Sequence, residues 1–161
     1  MVIVVMGVSG SGKTTVGRAL AAALSWPFAD ADEFHPPANI AKMSAGQPLN
    51  DSDRAPWLAA IRAKIEDWLA KNQSAVITCS ALKASYRDQL AHGESEIKFV
   101  YLHGDRAVLL QRLEQRENHF MKASLLDSQL AALETPKDAV TVDIRETPAE
   151  LVQEIRQRLR V

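Results

Sequence analysis

The chain has 161 residues, of which 47% are hydrophobic and 24% charged, and its formal net charge is −1. That length suits one domain with a substantial core, and the charge balance excludes a chain that as a whole attracts nucleic acid or an acidic membrane. Its one cysteine, Cys79, allows no intramolecular disulfide and fits a reducing compartment, so a cytoplasmic location is expected.

Met1 leads straight into Val2-Ile3-Val4-Val5 with no basic segment or cleavage site. This reads as a buried strand over residues 2–6 and not as a leader. No apolar run reaches the roughly 20 residues of a membrane span. The strand feeds Gly7-Val8-Ser9-Gly10-Ser11-Gly12-Lys13-Thr14, which meets G-x-x-x-x-G-K-[ST] at every fixed position, and a helix over residues 14–24 follows, with Val16, Leu20, Ala23 and Leu24 on one face. Strand, glycine loop and helix together are the context in which this motif binds phosphate. The glycines let backbone N–H groups converge on phosphate oxygens, and the helix N-terminus adds partial positive charge. Lys13 is placed to reach the outer phosphates and the Thr14 hydroxyl to bind Mg²⁺, with Thr15 beside them.

A weak strand over 27–29 ends at Asp30-Ala31-Asp32. Alternation in extended chain puts the two carboxylates on one side, at the end of a strand where ligands of open α/β sheets collect. One can support Mg²⁺ while the other accepts the proton of an attacking hydroxyl. The tract 35–57 holds no good strand. Behind it Trp57, Leu58, Ile61, Ile65, Trp68 and Leu69 form a helical stripe, with Pro56 suited to its first turn. A strand over 75–78 leads to Cys79-Ser80, a stripe of Leu82, Tyr86 and Leu90 stops near Gly93, and a strand over 97–102 precedes a helix from Ala107. On that helix Arg112 and Arg116, four apart, share a face and are placed to stabilise transferring charge, ahead of the polar Glu117-Asn118-His119. The tract 114–136 again lacks a strand. A strand over 139–144 and a helix opening on the capping box Thr147-Pro148-Ala149-Glu150 close the chain.

Apolar strands alternating with helices predict an α/β, doubly wound parallel sheet flanked by helices, the P-loop NTPase fold, in one domain over 1–161. The tracts 35–57 and 114–136 are expected to form a substrate cap and a lid. A guanine-type [NT]-K-x-D sequence is absent, since Thr135-Pro136-Lys137-Asp138 has the wrong order. No apolar strand ends in the Asp of a motor ATPase either, so a small-molecule kinase is expected, acting on a sugar acid, shikimate or a nucleoside monophosphate, with a nucleotide-binding sensor of little turnover as the alternative. Arg54, Lys83 and Arg87 are cations near predicted strand ends, and Arg can grip a carboxylate bidentately.

Further segments are distinctive: Asp30-Ala31-Asp32-Glu33-Phe34-His35-Pro36, Asn39-Ile40-Ala41-Lys42-Met43, Gly46-Gln47-Pro48-Leu49-Asn50-Asp51-Ser52-Asp53-Arg54, Cys79-Ser80-Ala81-Leu82-Lys83, Tyr86-Arg87-Asp88, His119-Phe120-Met121, Ser128-Gln129 and Leu133-Glu134-Thr135-Pro136. With them, in order through nearly the whole chain, the sequence resembles the gluconate kinases, small P-loop kinases related in fold to shikimate kinase. The resemblance implies phosphoryl transfer from ATP, with Mg²⁺, to D-gluconate. It implies that Gly10, Gly12, Lys13 and Thr14 hold ATP and the metal, that Asp32 meets the substrate hydroxyl, and that Asp30 lies nearer the metal. It places His35, Arg54, Lys83 and Arg87 around the sugar acid, Arg112 and Arg116 at the base of the lid, and Thr147-Pro148 beside adenine. A homodimer is implied by the resemblance alone. Family members commonly carry Gly where this chain has Ala31.

Overall fold

Every residue of strand β1 (Val2–Met6) is buried, as expected of a central parallel strand covered on both faces. The computed structural model, which describes residues 1–116 and 122–161, sets β1 in the middle of a parallel sheet of order β2-β3-β1-β4-β5. The other strands are β2 (Phe28–Asp30), β3 (Ala75–Thr78), β4 (Ile97–His103) and β5 (Val140–Asp143). Each coincides with a predicted strand to within a residue at either end.

Side chains of β1 alternate between two cores. Val2, Val4 and Met6 pack with Trp57, Ile61 and Ile65 of α3 (Asp51–Ala70) and Leu90 of α4 (Ala84–Ala91). Ile3 and Val5 face Val16 and Leu20 of α1 (Lys13–Leu24), Leu109 of α5 (Arg106–Glu114) and Ile155 of α7 (Pro148–Leu159). Two apolar layers on one sheet make the predicted doubly wound α/β architecture. Between β2 and α3 lie a short 3₁₀ turn over Ala31–Phe34 and helix α2 (Pro37–Ser44). Helix α6 (Lys122–Ala132) follows α5. The His119-Phe120-Met121 motif and the Glu117-Asn118-His119 tract lie outside the described residues, as does part of the predicted lid tract.

Two local expectations are corrected. Pro56 is inside α3, because the helix starts five residues earlier at a capping box. Asn50 Oδ1 accepts from Asp53 N–H at 2.8 Å, and Asp53 Oδ2 accepts from Asn50 N–H at 2.9 Å. Reciprocal capping of this kind satisfies two orphan donors, and the proline forfeits one backbone bond. Arg112 and Arg116 do not share a helix face, since α5 ends at Glu114 before Arg116 is reached. Ala31, in contrast, sits in the 3₁₀ turn without needing a glycine. Among the described residues, no helix is long and apolar enough to cross a membrane.

Candidate active site

The loop between β1 and α1 is a phosphate cradle built around one carbonyl. Val8 O accepts from Ser11 Oγ at 2.7 Å, Ser11 N–H at 3.2 Å and Lys13 Nζ at 3.1 Å. Gly10 and Gly12 have φ of +83° and +91°, a region that L side chains rarely adopt. A Cβ on Gly7 would come within 2.7 Å of Ser11 Oγ, so Gly7, Val8 and Ser11 shape the loop from below. Above it opens a cavity of about 240 Å³ bordered by Ser9, Gly10, Gly12, Lys13, Thr14 and Thr15. Asp30, Asp32 and Arg116 line the facing wall. Desolvation pulls the Lys13 ammonium below its ordinary pKa, while Asp32 and, more weakly, Asp30 pull it back up.

The ends of β1, β2 and β3 supply the remaining polar groups. Thr14 Oγ1 donates to Asp30 Oδ2 at 3.1 Å, and Asp30 Oδ1 accepts from Asp32 N–H at 3.0 Å. On the same wall the Thr78 hydroxyl is buried with no hydrogen-bond partner among the described residues. Hydroxyls and a carboxylate converging on one spot are the oxygen donors that Mg²⁺ takes, together with water and substrate phosphates. These residues therefore fit the metal. Cys79, next along the strand, is no nucleophile: burial pushes its thiol up to about 12.

A second cavity, of about 570 Å³, adjoins the first. Its walls come from the α2–α3 connection, the N-terminal half of α3, the β3–α4 loop and α6. His35 lies on its floor, stacked on Trp57 with ring centroids 4.5 Å apart and an interplanar angle of 8°. Trp57 Nε1–H donates to Ala31 O at 2.7 Å, which ties the acidic turn to α3. Asn39 Nδ2 donates to His35 Nδ1 at 3.3 Å, so the neutral ring carries its proton on Nε2. Burial lowers the pKa of His35 and Arg54 lowers it further, against the pull of Asp32.

Arg54 and Lys83 enter this cavity around Tyr86. Arg54 Nη1 donates to Tyr86 Oη at 3.3 Å, and Lys83 Nζ lies 5.4 Å from the Tyr86 ring centroid. Asp51 gathers the cluster, accepting from Lys83 Nζ at 3.2 Å and from the Tyr86 hydroxyl through a short bond. Those two hydrogen bonds hold the Asp51 carboxyl below its ordinary pKa.

Arg87 is not brought here. Its Nη1 donates to Ala81 O at 2.8 Å and Leu82 O at 3.1 Å, and its Nη2 to Glu134 O at 2.8 Å. Adjacent helical residues are turned about 100° apart, so with Tyr86 facing the cavity Arg87 points behind the β3–α4 loop. It borders a separate open groove with Lys98 and Arg158. Arg112 also lies outside both cavities, near Gly12, where Nη2 donates to Ile144 O through a short bond. Thr147 and Pro148 are exposed, and the Thr147 hydroxyl caps α7 through Glu150.

Sequence reasoning missed Asp51, Tyr86, Thr78, Ser80 and Gln129 as site residues. Tyr86 was read as part of an apolar stripe and of the distinctive Tyr86-Arg87-Asp88 segment but not as a site residue, although its hydroxyl marked it as a buried group needing a partner. Asp32, Ser80 and Gln129 border both cavities, and so stand where a phosphoryl donor and an acceptor would meet.

A β-strand, glycine loop and helix carrying Lys13 and Thr14, opening beside a second cavity edged with cations, define a P-loop kinase. Residues 9–160 match the family model described as shikimate kinase. A gluconokinase of Gluconobacter oxydans is 54% identical over 84% of this chain and 76% of its own length. The thermosensitive gluconokinase of Escherichia coli is 44% identical over 96% of this chain and 84% of its own. The crystal structure of a gluconokinase from Sinorhizobium meliloti superposes with a TM-score of 0.84 at 51% identity, covering 94% of this chain and 87% of that one. The chain belongs to the gluconokinases, within the shikimate kinase family of P-loop kinases.

Proposed function

We propose that this protein transfers the γ-phosphoryl group of ATP to the 6-hydroxyl of D-gluconate, giving 6-phospho-D-gluconate and ADP. The observation that carries the reading is the pair of adjoining cavities with Asp32 at their junction, one a phosphate cradle and the other edged by Arg54 and Lys83. A polyhydroxylated anion suits the second cavity. Arg54 and Lys83 take the carboxylate in place of part of their contact with Asp51 and Tyr86. His35 offers Nε2–H to a hydroxyl. Anchoring the far end of the substrate aims its terminal hydroxyl at the phosphate cavity and reduces the entropic cost of alignment.

In this reading Asp32 accepts the proton of the attacking hydroxyl. Loop N–H groups, Lys13 and Arg116 stabilise the charge spread over the transferring phosphoryl oxygens. Thr14 and Asp30 hold Mg²⁺, directly or through water, with Thr78 a further hydroxyl beside them. Mg²⁺ held there would supply charge neutralisation for the phosphates. Arg112 steadies the base of the loop, and Thr147-Pro148 lies beside adenine. Arg87 serves the site by fixing the β3–α4 loop. The segment 35–57 acts as a substrate cap and 114–136 as a lid on one domain spanning 1–161. A cytoplasmic homodimer completes the proposal, on family resemblance and the single buried thiol.

The test is ADP release over a panel of sugar acids, shikimate and nucleoside monophosphates. Gluconate is expected to be the preferred acceptor. Turnover of shikimate or a nucleotide with gluconate ignored would overturn the substrate and leave the kinase.

A further inference from the structure

Gln129 touches the phosphate loop from the wall of the other cavity. Its Oε1 accepts from Ser9 N–H at 2.7 Å and its Nε2 donates to Ser9 Oγ at 3.0 Å. One carboxamide thus holds both the backbone and the side chain of a loop residue 120 positions away. Ser9 immediately precedes Gly10, one of the positions with positive φ, so its placement sets the course of the N–H groups that follow.

The helix bearing Gln129 has two faces. Leu126 is fully buried in the core on the α5 side of the sheet. Ser124, Leu125 and Ser128 border the sugar-acid cavity, where Leu125 remains 48% exposed. A ligand filling that cavity therefore presses on α6, and Gln129 is a direct polar connection from α6 to the loop. Packed elements shift as units, and coupling between sites needs such a contiguous physical link.

We propose that Gln129 is a positioning residue for phosphoryl transfer: by clamping Ser9 it ties the phosphate loop to the wall of the sugar-acid cavity, so that filling either cavity changes the affinity of the other. This rests on the assignment of the two cavities to ATP phosphates and sugar acid. Ser9 and Gln129 act as one unit in it. Linkage requires the effect to be reciprocal in the two binding constants.

The experiment compares wild type with Gln129→Met, Ser9→Ala and the double variant. Methionine keeps the length and bulk of the side chain but makes neither bond, whereas Ser9→Ala removes only the Oγ bond. Gluconate affinity is measured by calorimetry with and without a non-hydrolysable ATP analogue, beside kcat, both KM values and the thermal midpoint. If wild type ignores gluconate, the acceptor found by the panel replaces it, so failure of the substrate reading is separated from failure of the coupling. Wild type is expected to show reciprocal coupling within the usual range of about 5- to 150-fold. In Gln129→Met that factor falls toward one, and kcat drops on the order of 10²-fold, as for a reactant misplaced by about 1 Å. The affinity for the ATP analogue alone falls by a smaller factor than the coupling does. Ser9→Ala is intermediate and adds little on top of Gln129→Met, the non-additivity expected of partners in one interaction. The proposal is overturned if wild type shows no coupling or if coupling survives in Gln129→Met. It is equally overturned if the variants lose thermal midpoint and both separate affinities in parallel, which marks a merely structural bond.

Discussion

Replacing Arg87 with leucine should damage stability far more than chemistry, the reverse of what a substrate-binding arginine would show. The guanidinium is buried and donates to the carbonyls of Ala81, Leu82 and Glu134. Ala81 has φ of +45°, a left-handed conformation that costs an L-residue roughly 1–2 kcal/mol and that the guanidinium holds in place. Hydrogen bonds to a charged group contribute about 1.5–3 kcal/mol each. Three of them set an upper bound, because the carbonyl of the exposed Glu134 regains water and the leucine restores apolar packing. A net loss of about 3 kcal/mol remains, which for a domain of this size lowers Tm by roughly 6–12 °C. Arg54→Leu should behave oppositely. Arg54 is half-buried at the cavity edge, and truncating one partner of a charge pair there costs on the order of 2 kcal/mol of binding, about 30-fold in kcat/KM for gluconate. Thermal unfolding by calorimetry and steady-state kinetics, run well below Tm on both variants, separate the two cases. An Arg87→Leu protein with wild-type Tm and a large rise in gluconate KM would refute the assignment, because it would place the arginine on the substrate.

Asp32→Asn keeps the shape and most hydrogen bonds of the junction but removes a base, so kcat should fall about 10²–10⁴-fold with ATP binding little changed. A loss below about fivefold would move that role to Asp30. His35 makes stability depend on pH. Its folded pKa lies below the ordinary 6.5 because of burial against Trp57, so the unfolded chain takes up the proton first. The contribution is fully present above about pH 6.5 and is lost as pH falls toward the folded pKa. Urea midpoints at pH 7.5 and 5.5 should therefore differ more in wild type than in His35→Phe, which keeps the stack without the titration. Equal differences in the two proteins would show that His35 is not the group responsible.

The five strands, the phosphate loop and the capping box at Thr147 were legible in the chain because each is a local pattern. An apolar run, a glycine spacing or a cap needs only near neighbours to be recognised. The start of α3 was written in the same local language, in Asn50 and Asp53, but Pro56 is an equally good opening signal and drew the boundary to itself. The two aspartates could be placed at a ligand-facing strand end, but only Asp30 belongs to β2; Asp32 reaches the same cavity from the 3₁₀ turn and not by strand alternation.

Which cation faces which cavity could not be read that way. Tyr86 and Arg87 are neighbours in sequence, yet the turn of α4 sends one to Asp51 and Arg54 and the other to three backbone carbonyls. Arg112 and Arg116 looked like a pair until the end of α5 parted them. Ser9 and Gln129 meet across 120 residues, a contact that exists only once α6 is packed on the core. Composition, spacing and propensity act over a few residues and so determined the elements, the phosphate chemistry and the family of this protein. The direction in which each charged side chain points depends on how those elements pack, and the tertiary structure alone decided it.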